Sequence, residues 1–500
     1  MDRTNKSEEY SVAAGQGVDA IGKVETRGID QIPDVERNSN PKNMAAAFAS
    51  VQFCFAIVLF GGLIVSFGLG FWSTLAAVTV GVAIGSVVIA IMALSGPLTG
   101  TNQSVSSGAY FGVRGRLIGS GIALFIDIVF LALIAWTTGQ TLVDGAHILF
   151  GTATGTLPLL IGMIIACILV VAIGYFGHAT LVASYKIWLV VGLIFQAVWL
   201  LVVLPNFHLI GDGEYLLGSF LPTWLLAVTV AISMPISYIT WPNDYGRRMP
   251  RSTNPRALGG WAWFGMFAGC WVALMLGAFV TMSFTDMSAT FVDGSFAIAP
   301  LWFVLPLMLY GFLGNAVNGG PGVYNSALDL QAFLFRIPRR ILVLVIGVVV
   351  FVVAYVGTIL FDAIATLDAL VLIMIVVVTP WAVITMVGMW LRKGQISADD
   401  LHTFAIPGGK GPYWFTGGVN YRAVTALVVA IIVGCAFSEN GLFTGPLATS
   451  AGGVDLSFIS AGLTGGVLYF VFVKLFPEHL TASAQLPKLT GTAPGTARPK

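Results

Sequence analysis

The chain has 500 residues, of which 57% are hydrophobic and only 9% are charged. Soluble globular chains carry roughly 25% charged residues, so the composition excludes the three or four soluble domains that this length would suggest. The net charge of +1 provides no basic field for binding nucleic acid. We therefore expect an all-α, polytopic protein whose main partner is the lipid bilayer.

Apolar segments of about twenty residues, the length that crosses a hydrocarbon core ~30 Å thick, recur along the chain. Hydropathy in windows of ~19 residues predicts twelve transmembrane helices, called spans 1 to 12 below. Their ranges are 45–67, 71–94, 117–140, 157–176, 181–204, 224–241, 258–281, 298–318, 341–360, 368–391, 421–437 and 454–476.

The segments outside the spans divide the rest of the chain. Residues 1–43 form an expected cytoplasmic tail, residues 393–420 a cytoplasmic loop before spans 11 and 12 (421–476), and residues 477–500 a second tail. The second tail is rich in Thr, Ala and Pro, a composition typical of disorder.

The basic residues test the number of spans. All 24 Lys and Arg residues fall on one side of the twelve-span arrangement, including Arg116 before span 3, Arg247 after span 6 and Arg392 after span 10. The loops on the other side contain acidic residues such as Asp212 and no Lys or Arg. Because an excess of Lys and Arg marks cytoplasmic loops, we expect both termini to be cytoplasmic and the protein to lie in the cell membrane.

Three spans contain residues that interrupt helices. Span 6 contains Pro235 and ends at 241–244, Trp-Pro-Asn-Asp, and span 8 is expected to break at 315–322, Asn-Ala-Val-Asn-Gly-Gly-Pro-Gly. Span 1 contains a weaker signal, Gly61-Gly62 together with polar Ser50 and Gln52 in its first half. An interrupted helix at membrane depth must line a cavity. Breaks at matching positions of two repeats indicate a transporter binding site, and spans 1 and 6 would begin two five-span halves, 44–204 and 205–392.

One carboxyl group lies deep in the predicted bilayer. Asp127 is eleven residues after Arg116, or roughly 16 Å along a helix. An ionisable group there costs at least ~2.5–3.5 kcal/mol and usually faces the bundle interior. Its helical stripe is Ser120, Ala123, Asp127, Phe130, Ile134 and Thr137. Small and polar side chains favour a cavity wall, with a hydrogen bond to a neighbouring helix as the alternative.

Two asparagines form a second candidate site. Asn315 and Asn318 are three residues apart and so share one helical face. Amides both donate and accept hydrogen bonds, which suits the edge of a heterocycle or the shell of a cation. The alternative is hydrogen bonding between helices.

Five segments in order resemble the nucleobase:cation symporter-1 family, purine-cytosine permease group. They are VETRGIDQIPDVER (24–37), GPLTGTNQSVSSGAYFGVRG (96–115), WPNDYGRRMP (241–250), NAVNGGPGVYNSALDLQ (315–331) and PYWFTGGVNYRA (412–423). The resemblance implies a LeuT-like core of five plus five helices in inverted repeat, with two additional helices. It also implies a secondary active symporter that imports a nucleobase such as cytosine or a purine.

The resemblance places the substrate between spans 1, 3, 6 and 8. It implies a polar group at Asp127, a stacking ring at Phe130, and amide contacts from Asn318 and Asn315. Span 1 would line the floor near Phe53 and Phe55. In span 6, Met234 stands where relatives often have an aromatic residue, so either Tyr238 replaces it or the substrate ring is stacked on one side only.

The resemblance also implies coupling to a cation, either H⁺ or Na⁺, with Asp127 and Asn315 as candidates. Sodium-coupled relatives place hydroxyl groups on span 8 where this chain has Val317 and Asn318, and relatives often have Gln where this chain has Asp127. Burial disfavours the charged form of a carboxyl group. We therefore expect proton coupling through Asp127, with sodium as the alternative.

Other functions remain open at this point. Allantoin, a hydantoin or another small N-heterocycle fits the same residues as a nucleobase. A channel would favour a ring of charges from several subunits, and a membrane-embedded enzyme would need clustered His and carboxyl groups. The chain lacks the GxxxxGK[ST] phosphate loop. We expect no enzymatic activity, no cofactor, no certain metal site and no obligate protein partner.

Overall fold

The computed structural model describes residues 21–22, 28–360, 363–403, 410–440 and 443–478. Most of the predicted first tail, the start of the 24–37 segment and the second tail from residue 479 lie outside the described residues. Residues 28–40 of the first tail are described and pack against the helices: Ile29 and Ile32 are buried, and the Ile32 amide donates to the Gly100 carbonyl at 2.9 Å.

The described residues are almost entirely helical. In chain order the helices are α1 (Pro41–Gln52), α2 (Phe55–Ser66), α3 (Phe71–Met92), α4 (Ser95–Thr99), α5 (Gln103–Phe111), α6 (Arg116–Phe150), α7 (Thr156–Phe176), α8 (His178–Val203), α9 (Phe220–Ile236), α10 (Pro242–Gly246), α11 (Pro255–Thr281), α12 (Phe291–Ala297), α13 (Leu301–Phe333), α14 (Arg339–Leu360), α15 (Ala363–Leu391), α16 (Ala398–Leu401), α17 (Tyr421–Ala436) and α18 (Ser457–Leu475). Strands β1 (Glu439–Asn440) and β2 (Phe443–Thr444) form a small antiparallel hairpin.

Each of the twelve predicted spans contains a helix. Over the described residues, nine helices are long and apolar enough to cross a membrane, and the bent pair α1–α2 makes a tenth crossing. Helices α9 and α17, at spans 6 and 11, are apolar but shorter. The protein is therefore a multi-pass membrane protein.

The breaks differ from those predicted. Span 1 bends by 63° between α1 and α2, at Phe53 and Cys54 and not at Gly61-Gly62. The predicted break in span 8 is wrong, because α13 runs through Pro321 to Phe333. Neighbouring helices can satisfy the polar groups that a membrane proline frees. The glycines there serve close packing instead: a Cβ at Gly322 would lie 3.2 Å from Leu131.

Span 6 is interrupted as predicted. Helix α9 ends at Ile236, one residue after Pro235, and turns follow up to α10 at Pro242. The interrupted segment lies beside α6 and α13, two helices of 35 and 33 residues that pack along each other. This arrangement brings the middle of span 3, the end of span 6 and the middle of α13 together.

Candidate functional site

A small cavity lies where α6, the segment after α9 and α13 meet. Its lining consists of Asp127, Phe130, Leu131, Ile134, Ser237, Tyr238, Trp241, Asn318 and Gly322. The cavity has room for about one water molecule, so its side chains are closed over the space. A ring the size of a nucleobase would require these side chains to move apart.

The Asp127 carboxyl group joins the three elements of the site. It is 3% exposed and lies in the first half of α6. Its Oδ1 accepts a hydrogen bond from Trp241 Nε1 at 3.2 Å, and its Oδ2 accepts one from Ser326 Oγ at 3.2 Å. Both partners are neutral donors, so they stabilise the carboxylate without neutralising its charge.

Asn318 links the cavity to the break in span 1. Its Nδ2 lies 2.7 Å from the Val51 carbonyl oxygen, 2.7 Å from Tyr238 Oη and 3.4 Å from Cys54 Sγ. An amide nitrogen carries two hydrogens, and the Val51 and Tyr238 contacts use both. The Asn318 Oδ1 is therefore the atom that can accept a hydrogen bond from a ligand N–H.

Aromatic rings reach the cavity from two elements. Phe130 on α6 is partly buried, and its ring centroid lies 6.2 Å from that of Phe60. Tyr238 and Trp241, after α9, pack edge to face with centroids 4.7 Å apart. These rings provide flat apolar surface beside the polar groups, a combination that suits a planar polar ligand.

Asn315 lies outside the cavity lining. Its Oδ1 accepts a hydrogen bond from the Ala56 backbone amide at 3.1 Å, and its Nδ2 donates to Thr137 Oγ1 at 3.0 Å and Thr138 Oγ1 at 2.9 Å. The amide is thus saturated by α2 and α6. The structure places it as a link between helices, the alternative reading of this residue.

Three further predicted residues also lie outside the lining. Phe55 stacks on Trp199 with centroids 5.6 Å apart. Met234 is fully buried in α9. Phe53 is buried at the break of span 1, where its carbonyl faces α8. The bend at the break directs the Phe53 and Phe55 side chains into packing between helices, so span 1 contributes its polar backbone and not its aromatic rings.

Sequence reasoning missed two partners of Asp127. Trp241 directly precedes Pro242 in the interrupted span, and Ser326 follows Asn318 and Gly322 at intervals of four residues. Residues four apart share a helical face, so this spacing could have identified Ser326. Trp241 could not be identified from spacing, because the turns after α9 decide where its ring points.

Within the described residues, no three His, Cys, Asp or Glu side chains are placed to hold a metal ion.

A family model described as "Permease for cytosine/purines, uracil, thiamine, allantoin" matches residues 31–459. The chain belongs to this permease family. It is therefore a transport protein of the nucleobase:cation symporter-1 group, as the sequence motifs predicted.

Relatives match over most of the permease. YxlA of Bacillus subtilis (strain 168), whose name assigns it to the purine-cytosine permeases, is 26% identical over 474 residues, covering 90% of this chain and 96% of YxlA. The vitamin B6 transporter TPN1 of Saccharomyces cerevisiae is 23% identical over 371 residues, covering 68% of this chain and 61% of TPN1.

Solved structures show the same fold. Mhp1, a nucleobase-cation-symport-1 family transporter in a closed conformation with bromovinylhydantoin bound, superposes with a TM-score of 0.72 at 17% identity, covering 92% of this chain and 97% of Mhp1. A Na⁺-coupled sialic acid symporter gives a TM-score of 0.58 at 12% identity, covering 90% and 93% of the two chains. The permease therefore has the LeuT-like fold of these transporters.

Proposed function

We propose that the permease is a secondary active symporter that imports a nucleobase, such as cytosine or a purine, together with protons. The cavity at Asp127 carries this proposal, because a buried carboxyl group, an amide oxygen and aromatic rings converge there. The permease family to which the chain belongs is described as carrying cytosine, purines, uracil, thiamine and allantoin. This description supports a small N-heterocycle as substrate.

The polar atoms of the cavity narrow the substrate class. The Asp127 carboxylate and the Asn318 Oδ1 both accept hydrogen bonds, so a matching ligand presents N–H groups along one edge. Phe130 offers a flat face to the ring. Purines and cytosine have such edges. Hydantoins and allantoin have them too, and bromovinylhydantoin bound to Mhp1 makes them the second candidate.

The membrane arrangement that we propose has twelve spans. The helices from α1 to α8 and from α9 to α15 would form the two five-span halves of an inverted repeat, followed by α17 and α18. Both termini would be cytoplasmic, because this arrangement places every Lys and Arg on one side. The breaks in spans 1 and 6, the first helices of each half, support the repeat.

Asp127 is our candidate for the coupling group. It binds no basic side chain within the described residues; its partners are Trp241 and Ser326. Since burial disfavours a lone charge, protonation would accompany substrate binding, and release of the proton to the cytoplasm would accompany substrate release. Sodium is the alternative, since one fold neighbour is Na⁺-coupled. However, α13 has Ala316 and Val317 near the break in span 1, without side-chain oxygens.

The proposal is tested by uptake into proteoliposomes containing the purified permease. Labelled cytosine, adenine and hydantoin are offered across a pH series, in NaCl or in choline chloride. We expect saturable uptake of at least one ring, stimulated by an inward proton gradient and abolished by a protonophore. Strict sodium dependence with a flat pH profile would contradict proton coupling.

A variant of Asp127 separates coupling from binding. Asp127→Asn should exchange substrate across the membrane but no longer concentrate it, because an amide cannot carry the proton. Asp144→Asn is the matched control, since Asp144 lies on the same helix but outside the cavity lining, and it should concentrate substrate normally.

A further inference from the structure

The break in span 1 leaves backbone groups without helical partners. Phe53 and Cys54 leave helical geometry between α1 and α2, so nearby carbonyl groups cannot bond within a helix. In many transporters of this kind, unwound carbonyl groups coordinate the coupling cation. Here the Phe53 carbonyl oxygen accepts a hydrogen bond from Trp188 Nε1 on α8, at 2.7 Å.

Other side chains pair with two further backbone groups near the break. The Val51 carbonyl accepts from Asn318 Nδ2 at 2.7 Å, and the Ala56 amide donates to Asn315 Oδ1 at 3.1 Å. The hydrogen of an N–H group carries partial positive charge, so it satisfies the carbonyl oxygen as a bound cation would. The Phe53 and Val51 carbonyl oxygens thus already face neutral N–H donors, and Asn315 uses its oxygen on Ala56. These groups are therefore poorly suited to bind sodium.

The position of Trp188 is built into the packing. Its ring lies parallel to Tyr310, with centroids 6.0 Å apart and an interplanar angle of 27°. Two glycines leave room for the hydrogen bond. A Cβ at Gly314 would lie 2.9 Å from the Phe53 oxygen, and one at Gly192 would lie 3.1 Å from Trp188 Nε1. Side chains at these two positions would crowd the contact between α8 and the break.

We propose that Trp188 is a positioning residue: its indole N–H fixes the geometry of the break in span 1, the role that a bound cation would otherwise have. This inference rests on the proposed transport function. The position of the break affects the cavity because Val51 and Cys54, on either side of Phe53, both contact Asn318, which lines the cavity. Substrate binding consequently depends on the indole N–H of Trp188 and is independent of sodium.

The test measures uptake of labelled cytosine and adenine by proteoliposomes, with KM and maximal rate determined in NaCl and in choline chloride. Trp188→Phe keeps an aromatic ring against Tyr310 but removes the N–H. Its KM should rise about three- to tenfold, the effect of one lost buried hydrogen bond, while the maximal rate per folded protein stays near that of the wild type. Wild-type KM should be equal in both salts.

Two variants separate positioning from packing. Trp188→His places its ring Nε2 at the same ring position as the indole Nε1, so its KM should return toward the wild-type value. Trp199→Phe makes the same change on α8 at a ring that packs on Phe55 and Tyr310, and its KM should stay unchanged. An unchanged KM in Trp188→Phe, or an equal rise in both Phe variants, would overturn the inference.

Sodium provides a readout that does not require substrate. If the wild type transports neither base, the proposed substrate class fails, and the Tm of the purified protein is compared in NaCl and choline chloride. A ligand that binds only the folded state raises the Tm. Equal Tm values support the inference about the break, whereas a specific rise with sodium would overturn it.

Discussion

Helical spacing shows which residues share a face, but not which neighbour that face meets. Asp127 could be selected from the sequence because a carboxyl group at membrane depth needs a polar cavity, and Phe130 followed from the family resemblance; both line the cavity. Asn315 and Asn318 could not be told apart, since they share a face of α13. Only the packing assigns Asn315 to Ala56 and Thr137, and Asn318 to the cavity.

Phe130 provides the first prediction for single residues. Stacking of an aromatic side chain on a base contributes roughly 1–3 kcal/mol, so Phe130→Ala should raise the Kd for substrate about tenfold or more. Phe125→Ala is the matched control, because Phe125 is also on α6 but is 43% exposed on the outer surface. Both are measured by ligand binding to purified protein. Equal Kd values for the two variants would refute stacking on Phe130.

Asn318 provides the second prediction. Removing a buried polar group leaves its partners unpaired, which costs about 1–3 kcal/mol, so Asn318→Ala should abolish uptake and also lower the Tm. The Tm should fall because the buried Val51 carbonyl oxygen loses its hydrogen-bond donor. Tyr238→Phe, which removes one acceptor of the same amide but leaves the Val51 carbonyl paired, should keep uptake with a raised KM. Normal uptake by Asn318→Ala would exclude the residue from the site.

At the scale of helices, each span that hydropathy predicts contains a helix, and the break in span 6 lies where it was predicted. The break in span 1 was misplaced, and the one expected in span 8 is absent. Helix α13 contains two glycines and a proline at 319–321 and is nevertheless continuous, whereas span 1 breaks at Phe53 and Cys54, which have no helix-breaking character. The break is held by side chains of α8 and α13. Such distant partners are invisible in a local window, so the position of this break could not be predicted from the sequence.

Helix α11 packs closely on α2, the second half of span 1, and this contact provides the prediction at the scale of helices. A methyl group at Gly277 would overlap the Val58 carbonyl oxygen of α2, whereas Gly260 of the same helix has no atom within 4 Å of its added Cβ. Overpacking costs about 1–3 kcal/mol, so Gly277→Ala should lower the Tm of the purified permease. Gly260→Ala should keep or slightly raise it. Similar Tm values in both variants would show that the close contact is dispensable.

At the scale of the whole molecule, the charge distribution gave a self-consistent topology, but it did not show how residues 28–37 are held. Residues 28–37 were expected to be part of a tail. In the structure the Gly28 carbonyl accepts from Arg247 Nη1 at 2.8 Å, and the Arg37 guanidinium donates to the Pro97 carbonyl at 3.1 Å. Polar segments between spans have no periodicity that reports such contacts, so hydropathy could not predict them.

The last two spans are joined to the rest of the molecule by a buried ion pair. Arg392 Nη2 lies 2.5 Å from Glu478 Oε2, and both side chains are 7% exposed. Asn420 and Tyr469 also donate to Glu478, at 2.6 and 3.2 Å. The aromatic rings of Tyr110 and Tyr413 lie within 6 Å of the guanidinium. The pair therefore connects the end of α15 with the start of α17 and the end of α18.

Glu478→Gln should consequently lower the stability of the permease more than the loss of a surface charge does. Removing one partner of a buried pair leaves the other charge uncompensated, at a cost of about 3–5 kcal/mol. The matched control is Arg251→Gln, because Arg251 and its partner Asp34 are 52% and 64% exposed and such surface pairs contribute about 0–1 kcal/mol. The measurement is the Tm of both purified variants in the same detergent. If Glu478→Gln shifted the Tm no more than Arg251→Gln, the ion pair would not be what holds α17 and α18 against the core.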